Sequence, residues 1–523
     1  MAPMSVTKAL ELAMQHHRSG RLAEAESFCH SVLSQEPGNA DALNLLSIIA
    51  RQSGRIELAV EFAARGAAAH PHIAEFHANL GEFSRLAGKP DMAVASFQRA
   101  IELKPNEPTF HNHLGMALGG MRQYEMAARE YQRAIELKPD YAEAYACLSG
   151  PLRQLDRLAE ADAAIRTAIR LQPDMPAAQH NLAVVLADQG RFQEAIAAYS
   201  RAIELKPDSV EARCHLGELY LLLGDFERGW KEHEWRLPIA YPNNPRRWDG
   251  GELNGKTILL YGEQGFGDVI QFVRYVPMVA EKGGRIILVC HEKLVRLLAG
   301  VPHIAQIVSL KQPTPAFDVF CPLLSLPLAL GTTLHNIPAN VPYLKSERPR
   351  LAKKPHVLRV GLAWAGNPEH WDDLRRSIPL EQFAPFSAIP GIEFYSLQIG
   401  PATRQKNDSS APLPLIDLTA DLHDFADTAA IVANLDLVIS VDTAAAHLAG
   451  AMGKPVWILL AAMPDWRWML KREDSPWYPT MRLFRQESTG SWSHVIRRVV
   501  DSLAEFRQAS TQLSIGDRGQ PQS

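Results

Sequence analysis

Cysteine is scarce in this 523-residue chain, with five residues, Cys29, Cys147, Cys214, Cys290 and Cys321, and no CxxC pair. An odd, scattered set supports neither a disulfide framework nor a zinc site, and it reads as buried thiols in a reducing compartment. No apolar run reaches the ~18 residues that a membrane-spanning helix needs. The opening MAPMSVTKALELAMQ lacks the basic-then-apolar order of a secretory signal. Charge of one sign is missing as well: 54 basic residues face 58 acidic ones, for a net −4. That balance excludes a surface dominated by positive charge, of the kind that binds nucleic acid or anionic membranes. Together these absences predict a cytoplasmic protein with no membrane span and no nucleic-acid partner.

What the chain has in abundance is repetition. The phrase AIELKP ends at Pro105, Pro139 and Pro207, and weaker copies at Pro37, Pro71 and Pro173 complete a series spaced 34 residues apart. Small residues hold the same phase at Ala13, Ser47, Gly81, Gly115, Ser149, Ala183 and Gly217, where one helix must approach its neighbour closely. A second column of alanines, Ala25, Ala59, Ala93, Ala127, Ala161 and Ala195, does the same on the following helix. Gly20, Gly54, Gly88, Gly190 and Gly224 fall in the turn between helices, where left-handed backbone costs glycine little. Each proline closes a second helix because it cannot continue one. Pro151 falls inside a first helix and is expected to kink it.

These columns match the tetratricopeptide repeats, whose helix pairs stack into a superhelix with a concave groove and share a core between neighbours. Six repeats and an atypical seventh pair, SVEARCHLGELYLLLGDFERGWKEHEWRL, are predicted over residues 1–236. Trp230 and Trp235 of that pair offer an apolar end for docking. A groove for an extended protein segment is the favoured role of the array, with a spacer or dimerisation surface as the alternative. Asn79 and Asn181 occupy the column from which some members of this family hold a peptide backbone. The other residues there, Leu45, His113, Cys147 and His215, leave an incomplete ladder.

Residues 237–255 are rich in Pro, Gly and Asn and read as a linker. Beyond them the periodicity changes to short β-branched runs alternating with helices. TILLYG and RIILVC flank the helix DVIQFVRYVPMVAEKG; LRVGLAWAG, IEFYSLQIG, DLVISV and KPVWILL form a second set, after a proline-rich separator from VFCPLLSLPLALG to SERPRLAKKP. Two α/β units with parallel sheets sharing a cleft follow, and ligands in such sheets bind beyond the carboxyl ends of the strands.

Two strand-to-helix junctions carry the chemistry. In Gly262-Glu263-Gln264-Gly265-Phe266-Gly267-Asp268 the glycines Gly262, Gly265 and Gly267 permit close backbone approach to a ligand. Asp268 stands where a helix begins, so capping that helix is the simpler account of it. The loop lacks a Walker lysine, which gives an ATPase little support. In Val441-Asp442-Thr443-Ala444-Ala445-Ala446-His447, Asp442 or Thr443 caps the next helix, and Thr443 and His447 face one side. The three alanines leave first-turn amides clear for a diphosphate at the positive helix end. Trp466, Trp468, Trp477 and Tyr478 form an aromatic cluster, read chiefly as packing between the two halves.

From about Lys256 to Phe506 the chain resembles the GT-B glycosyltransferases of the heptosyltransferase-like family, and more closely bacterial proteins in which tetratricopeptide repeats precede such a domain. The resemblance rests on GEQGFGDVIQFVRYVP, WAGNPEHWDDLRRSIPL, VISVDTAAAHLAGAMGKPVWILL and PDWRWM…DSPWYPTMRLFRQ. It implies an all-α repeat superhelix followed by two Rossmann-like domains facing across a cleft: 256–349 on the acceptor side and 350–508 on the nucleotide-sugar side. A polar tail, 509–523, is expected to be disordered. The implied activity is inverting transfer from a nucleotide-sugar, with Asp268 as base. Arg376, assisted by Arg375, would meet the diphosphate, and Asp442, Thr443 and His447 would line the donor site. Gln398, at the end of IEFYSLQ, is placed near the nucleotide. Ala444 stands where the family has glycine. No Asp-x-Asp motif occurs; a GT-B enzyme can use a helix dipole and cationic side chains in place of a metal, so neither metal nor cofactor is expected. The implied partners are a nucleotide-sugar and a protein acceptor in the repeat groove. A glycan or lipid-linked acceptor, or a scaffold whose transferase domain has decayed, remains an alternative.

Overall fold

A computed structural model describes residues 4–237, 246–346, 357–370, 372–407, 413–487 and 490–516. The chain divides into two compact units, Met1–Pro207 and Asp208–Ser523. Residues 238–245 of the expected linker, Trp371 of the WAGNPEHW segment and residues 517–523 of the tail lie outside the described residues. The last helix, Ser493–Gly516, continues past 509, where the expected tail begins.

The first unit is six helical hairpins, from Val6–Arg18 with Leu22–Gln35 to Pro176–Asp188 with Phe192–Leu205. Each second helix stops two residues before its proline, as at Leu103 before Pro105 and Leu137 before Pro139. The small column does what its spacing demands. A Cβ added at Gly81 would stand 2.9 Å from the Phe97 ring, and one at Gly115 2.9 Å from Tyr131. The turn glycines at 20, 54, 88 and 190 all have φ between +69° and +75°. Arg122 and Asp156 fill the same column in the two repeats without glycine, and both adopt φ +60°. Register therefore overrides side-chain preference there. The helix Ala142–Gln154 runs on through Pro151.

In the second unit the seventh pair, Val210–Leu222 and Phe226–His233, packs with the α/β part of the chain. Trp230 is buried, meets Trp466 edge-on at 5.2 Å and donates its indole N–H to the Thr332 carbonyl at 3.2 Å. Phe226 stacks on Trp477 at 6.2 Å. Trp235, also expected to dock, lies instead under the guanidinium of Arg213 of its own pair, 4.1 Å away.

Two parallel sheets follow. The first joins β1 (Thr257–Tyr261), β2 (Arg285–Cys290), β3 (Ile304–Ser309) and β4 (Val319–Pro322) in the order β3-β2-β1-β4. The second joins β5 (Leu358–Ala363), β6 (Ile392–Ser396), β7 (Leu415–Asp417), β8 (Leu437–Val441), β9 (Val456–Leu460) and β10 (Met481–Arg485) in the order β10-β9-β8-β5-β6-β7. The chain is thus six-hairpin and α/β in class, with two Rossmann-like sheets. One correction concerns β4, which lies in the stretch expected to be a proline-rich separator. Pro322 is tolerated as its last residue because β4 is an edge strand, where a missing N–H costs no ladder bond. The expected helix after β1 is also shorter and segmented: Phe266–Phe272, a 3-10 turn at Val273–Tyr275, then Val276–Ala280 carrying Pro277. No helix of the described residues is long and apolar enough to cross a membrane.

Candidate functional site

Strand order reverses between β1 and β4 in one sheet and between β5 and β8 in the other, and open parallel sheets bind ligands at such points. Both chemistry-bearing junctions sit there. β1 leads through the glycine-rich loop into Phe266–Phe272, and β8 leads through Asp442 and Thr443 into Ala444–Ala451. The two helices pack against one another. The contact is close: a Cβ on Gly267 would stand 2.9 Å from Cδ2 of His447. Gly262 is likewise occupied by the chain itself, since its Cβ would stand 2.9 Å from the Val269 side chain. These two glycines therefore permit close internal packing of the loop and helix.

Asp268 accepts from the Gly265 amide at 2.8 Å through Oδ2, the helix-start bond anticipated for it. Its Oδ1 is taken by Arg467, a residue sequence reasoning passed over between two tryptophans. Arg467 is the hub of the site. It is buried, donates to Gln271 Oε1 at 2.6 Å and to both oxygens of Asp465 at 3.0 and 3.1 Å, and stacks on Trp466 at 4.2 Å. Burial and the charge of Asp465 raise the Asp268 carboxyl, against the pull of Arg467. Burial raises Asp442 too, again with Asp465 contributing, while the charges of Arg376 and Arg467 oppose the shift. Arg376 itself leans on Asp373 at 3.4 Å and Arg375 on Asp372 at 3.8 Å.

His447 is buried, shares a hydrogen bond with the Tyr478 hydroxyl at 2.9 Å and stands 3.8 Å from Asp442, beyond hydrogen-bond length. Burial, together with the charges of Arg467 and Arg274, drives its pKa well below the ordinary value, so it is neutral at pH 7. Thr443 stands at the helix start, but its hydroxyl pairs with Ser440 Oγ at 2.9 Å rather than capping. Trp468, Trp477 and Tyr478 are buried among these groups as expected of packing residues.

Gln398, expected near the nucleotide, is hydrogen-bonded within its own sheet unit. Its Oε1 accepts from the amides of Trp364 and Ala365 at 3.0 and 2.8 Å, and its Nε2 donates to the carbonyls of Ala365 and Ile399, each at 3.0 Å. Three of these bonds pin the loop after β5 and the fourth holds the neighbouring residue, so both donors and both acceptor positions have partners within the chain. In the repeats, Asn79 donates to Asn44 Oδ1 at 2.8 Å and Asn181 to the Ala146 carbonyl at 3.2 Å. Both bonds tie neighbouring repeats together.

One residue from outside the α/β part reaches this cluster. Glu218, on the seventh pair, belongs to a helix that packs on the Trp466–Trp468 turn. Burial and the charge of Asp465, opposed by Arg467, push it up to about 7. Only the fold brings these groups together; a lone glutamate in a repeat carries no signal.

Comparisons with known proteins agree with the repeats. The description "Tetratricopeptide repeat" matches residues 16–81, 74–107 and 108–141, and "TPR repeat" matches 185–224. The amino-terminal half is therefore built of tetratricopeptide repeats, and a carboxyl-terminal α/β region with parallel sheets follows. A curated relative, Protein FlbA of Caulobacter vibrioides, is 28% identical over 329 residues, 55% of this chain and 54% of its own length. The chain thus spans about half of that relative. Among solved structures, a tetratricopeptide repeat protein from Parabacteroides merdae is 16% identical over 46% of this chain and 94% of its own, with a TM-score of 0.41. PilW, a type IV pilus biogenesis factor, is 19% identical over 40% of this chain and 98% of its own, with a TM-score of 0.37.

Proposed function

We propose that the protein is a glycosyltransferase that moves a sugar from a nucleotide-sugar to an acceptor, with the repeats binding a protein acceptor. The observation that carries this reading is the meeting of Asp268 with the arginine hub at the strand-order reversal of two parallel sheets. In the proposed reaction Asp268 takes the proton of an acceptor hydroxyl, whose oxygen attacks the anomeric carbon from the face opposite the nucleotide. The bond to the nucleoside diphosphate breaks with inversion. Arg376, Arg467 and the amino end of helix Ala444–Ala451 offset the charge on the departing diphosphate, the work a metal does elsewhere. Neutral His447, Asp442 and Thr443 line the donor side, and Arg375 adds charge. Removal of a general base typically costs about 10²–10⁴ in rate.

Titration calorimetry with UDP, GDP and ADP tests donor binding; no heat with any of them argues against the transferase. Glycan profiling of the cell's proteins then compares wild type with Asp268→Asn. Loss of a protein glycan supports a protein acceptor, and an unchanged profile points to a glycan or lipid-linked one. A non-catalytic scaffold is the second reading, favoured by one observation: both Asp268 oxygens already have partners.

A further inference from the structure

The 3-10 turn Glu234–Arg236, which continues the seventh helix pair, ends on Arg236, whose side chain is 9% exposed. Its Nη1 donates to Glu234 Oε1 at 2.9 Å and to the His233 carbonyl at 3.1 Å. Its Nη2 donates to Glu263 Oε1 at 2.8 Å and to Ser325 Oγ at 2.9 Å. Ser325 in turn donates to Glu234 Oε2 at 3.2 Å, which closes the network. Glu263 is the second residue of the glycine-rich loop. The next, Gln264, has φ +63°, left-handed backbone that an L side chain adopts at a cost. Such a conformation persists where its surroundings hold it from both sides. After Gln264 the restraint is the Gly265 amide donating to Asp268. Before it the restraint is Arg236 on Glu263.

We propose that Arg236 is a positioning residue of the site: by holding Glu263 it keeps Gln264 left-handed and so sets the Gly265 amide against the Asp268 carboxylate. The last helical pair is then a working part of the α/β unit, because its end residue shapes the loop that carries the candidate base. The proposal depends on the transferase reading only for what Asp268 does, since the loop geometry stands without it. Burial raises the Glu263 carboxyl and Arg236 opposes the shift, so loss of the arginine also favours protonation of its partner.

The test is amide hydrogen exchange by mass spectrometry on the full chain, following peptides that span 261–268. Arg236→Met is expected to speed exchange there at least tenfold while β2 peptides stay at the wild-type rate. Adding Gln264→Gly should return the loop to within about threefold of wild type, because glycine takes left-handed backbone without the steric cost that the restraint offsets. A role confined to docking the seventh pair would raise exchange over 226–237 and would not respond to position 264. A wild-type rate over 261–268 in Arg236→Met, or no recovery with Gln264→Gly, overturns the proposal. Should Arg236→Met fail to fold, Glu263→Gln leaves the arginine its bonds to Glu234 and Ser325, and the same loop-specific increase and rescue are required of it. Exchange needs no nucleotide, so a negative result here is distinct from a failure of UDP, GDP and ADP to bind.

Discussion

Arg467 and Asp268, 199 residues apart in sequence, form an ion pair that joins the two α/β halves at the candidate site. The guanidinium is fixed charge, and it also holds Asp465 and Gln271, so one side chain organises the groups that carry the proposed chemistry.

Removing that cation strands a carboxylate in a buried place. Arg467→Met is expected to destabilise the Asp208–Ser523 unit by roughly 3–5 kcal/mol, the usual cost of breaking a buried pair from one side. Denaturant unfolding checks this. In the Asp268→Asn background the same substitution should cost less, and equal costs would mean that the pair is not coupled.

Glu218 makes stability depend on pH near neutrality. Its folded pKa of about 7 lies above the ordinary glutamate value of 4.5. The stabilisation is therefore complete below about 4.5 and is lost as pH rises through about 7. Glu218→Gln removes the cost of ionisation, so it should exceed wild type by about 3 kcal/mol above that range and lose the advantage on acidification. Melting temperatures at pH 5 and pH 8 read the difference; a pH-independent gap would count against the assignment.

Two glycines of the same column should respond differently to alanine. At Gly217 a Cβ meets the His233 amide nitrogen at 2.7 Å and the Gly229 carbonyl oxygen at 3.0 Å, both backbone. At Gly115 it meets the Tyr131 ring, which can tilt. Gly217→Ala should cost about 1–3 kcal/mol, whereas Gly115→Ala should come near neutral because alanine's helix preference offsets the crowding. Thermal unfolding of the two variants ranks them.

Glycine should be welcome where the column lacks it. Arg122 and Asp156 both hold φ +60°, so Arg122→Gly and Asp156→Gly are each expected to stabilise the first unit by about 0.5–1 kcal/mol. A drop in melting temperature for both would show that their side-chain contacts outweigh the backbone cost.

The hairpins of the first unit were legible almost residue by residue. Each pair touches chiefly its neighbours, so closeness at Gly81 or a left-handed turn at Gly88 is encoded within one repeat length. The parallel strands were legible where they are continuous apolar runs such as Leu437–Val441. Leu415–Asp417 is short and exposed, and Val319–Pro322 is disguised by proline, so neither stood out. Asp268, Asp442 and His447 were legible as candidates because they sit at junctions that local pattern exposes. The loop-pinning bonds of Gln398 were not legible because an amide at a strand end looks the same whether it meets a ligand or a loop. Three of its four bonds reach back to a segment more than thirty residues earlier.

The sequence by itself determined the repeat register, the helix ends set by proline, and the alternation that makes two parallel sheets. These follow from local sterics and periodic burial, which act over a few residues. Tertiary structure alone decided which surface the seventh pair docks on, that Arg467 pairs with Asp268, and that Glu218 feels Asp465. Those are consequences of which distant surfaces bury one another, and a charge's partner and pKa are properties of that burial rather than of its neighbours in the chain.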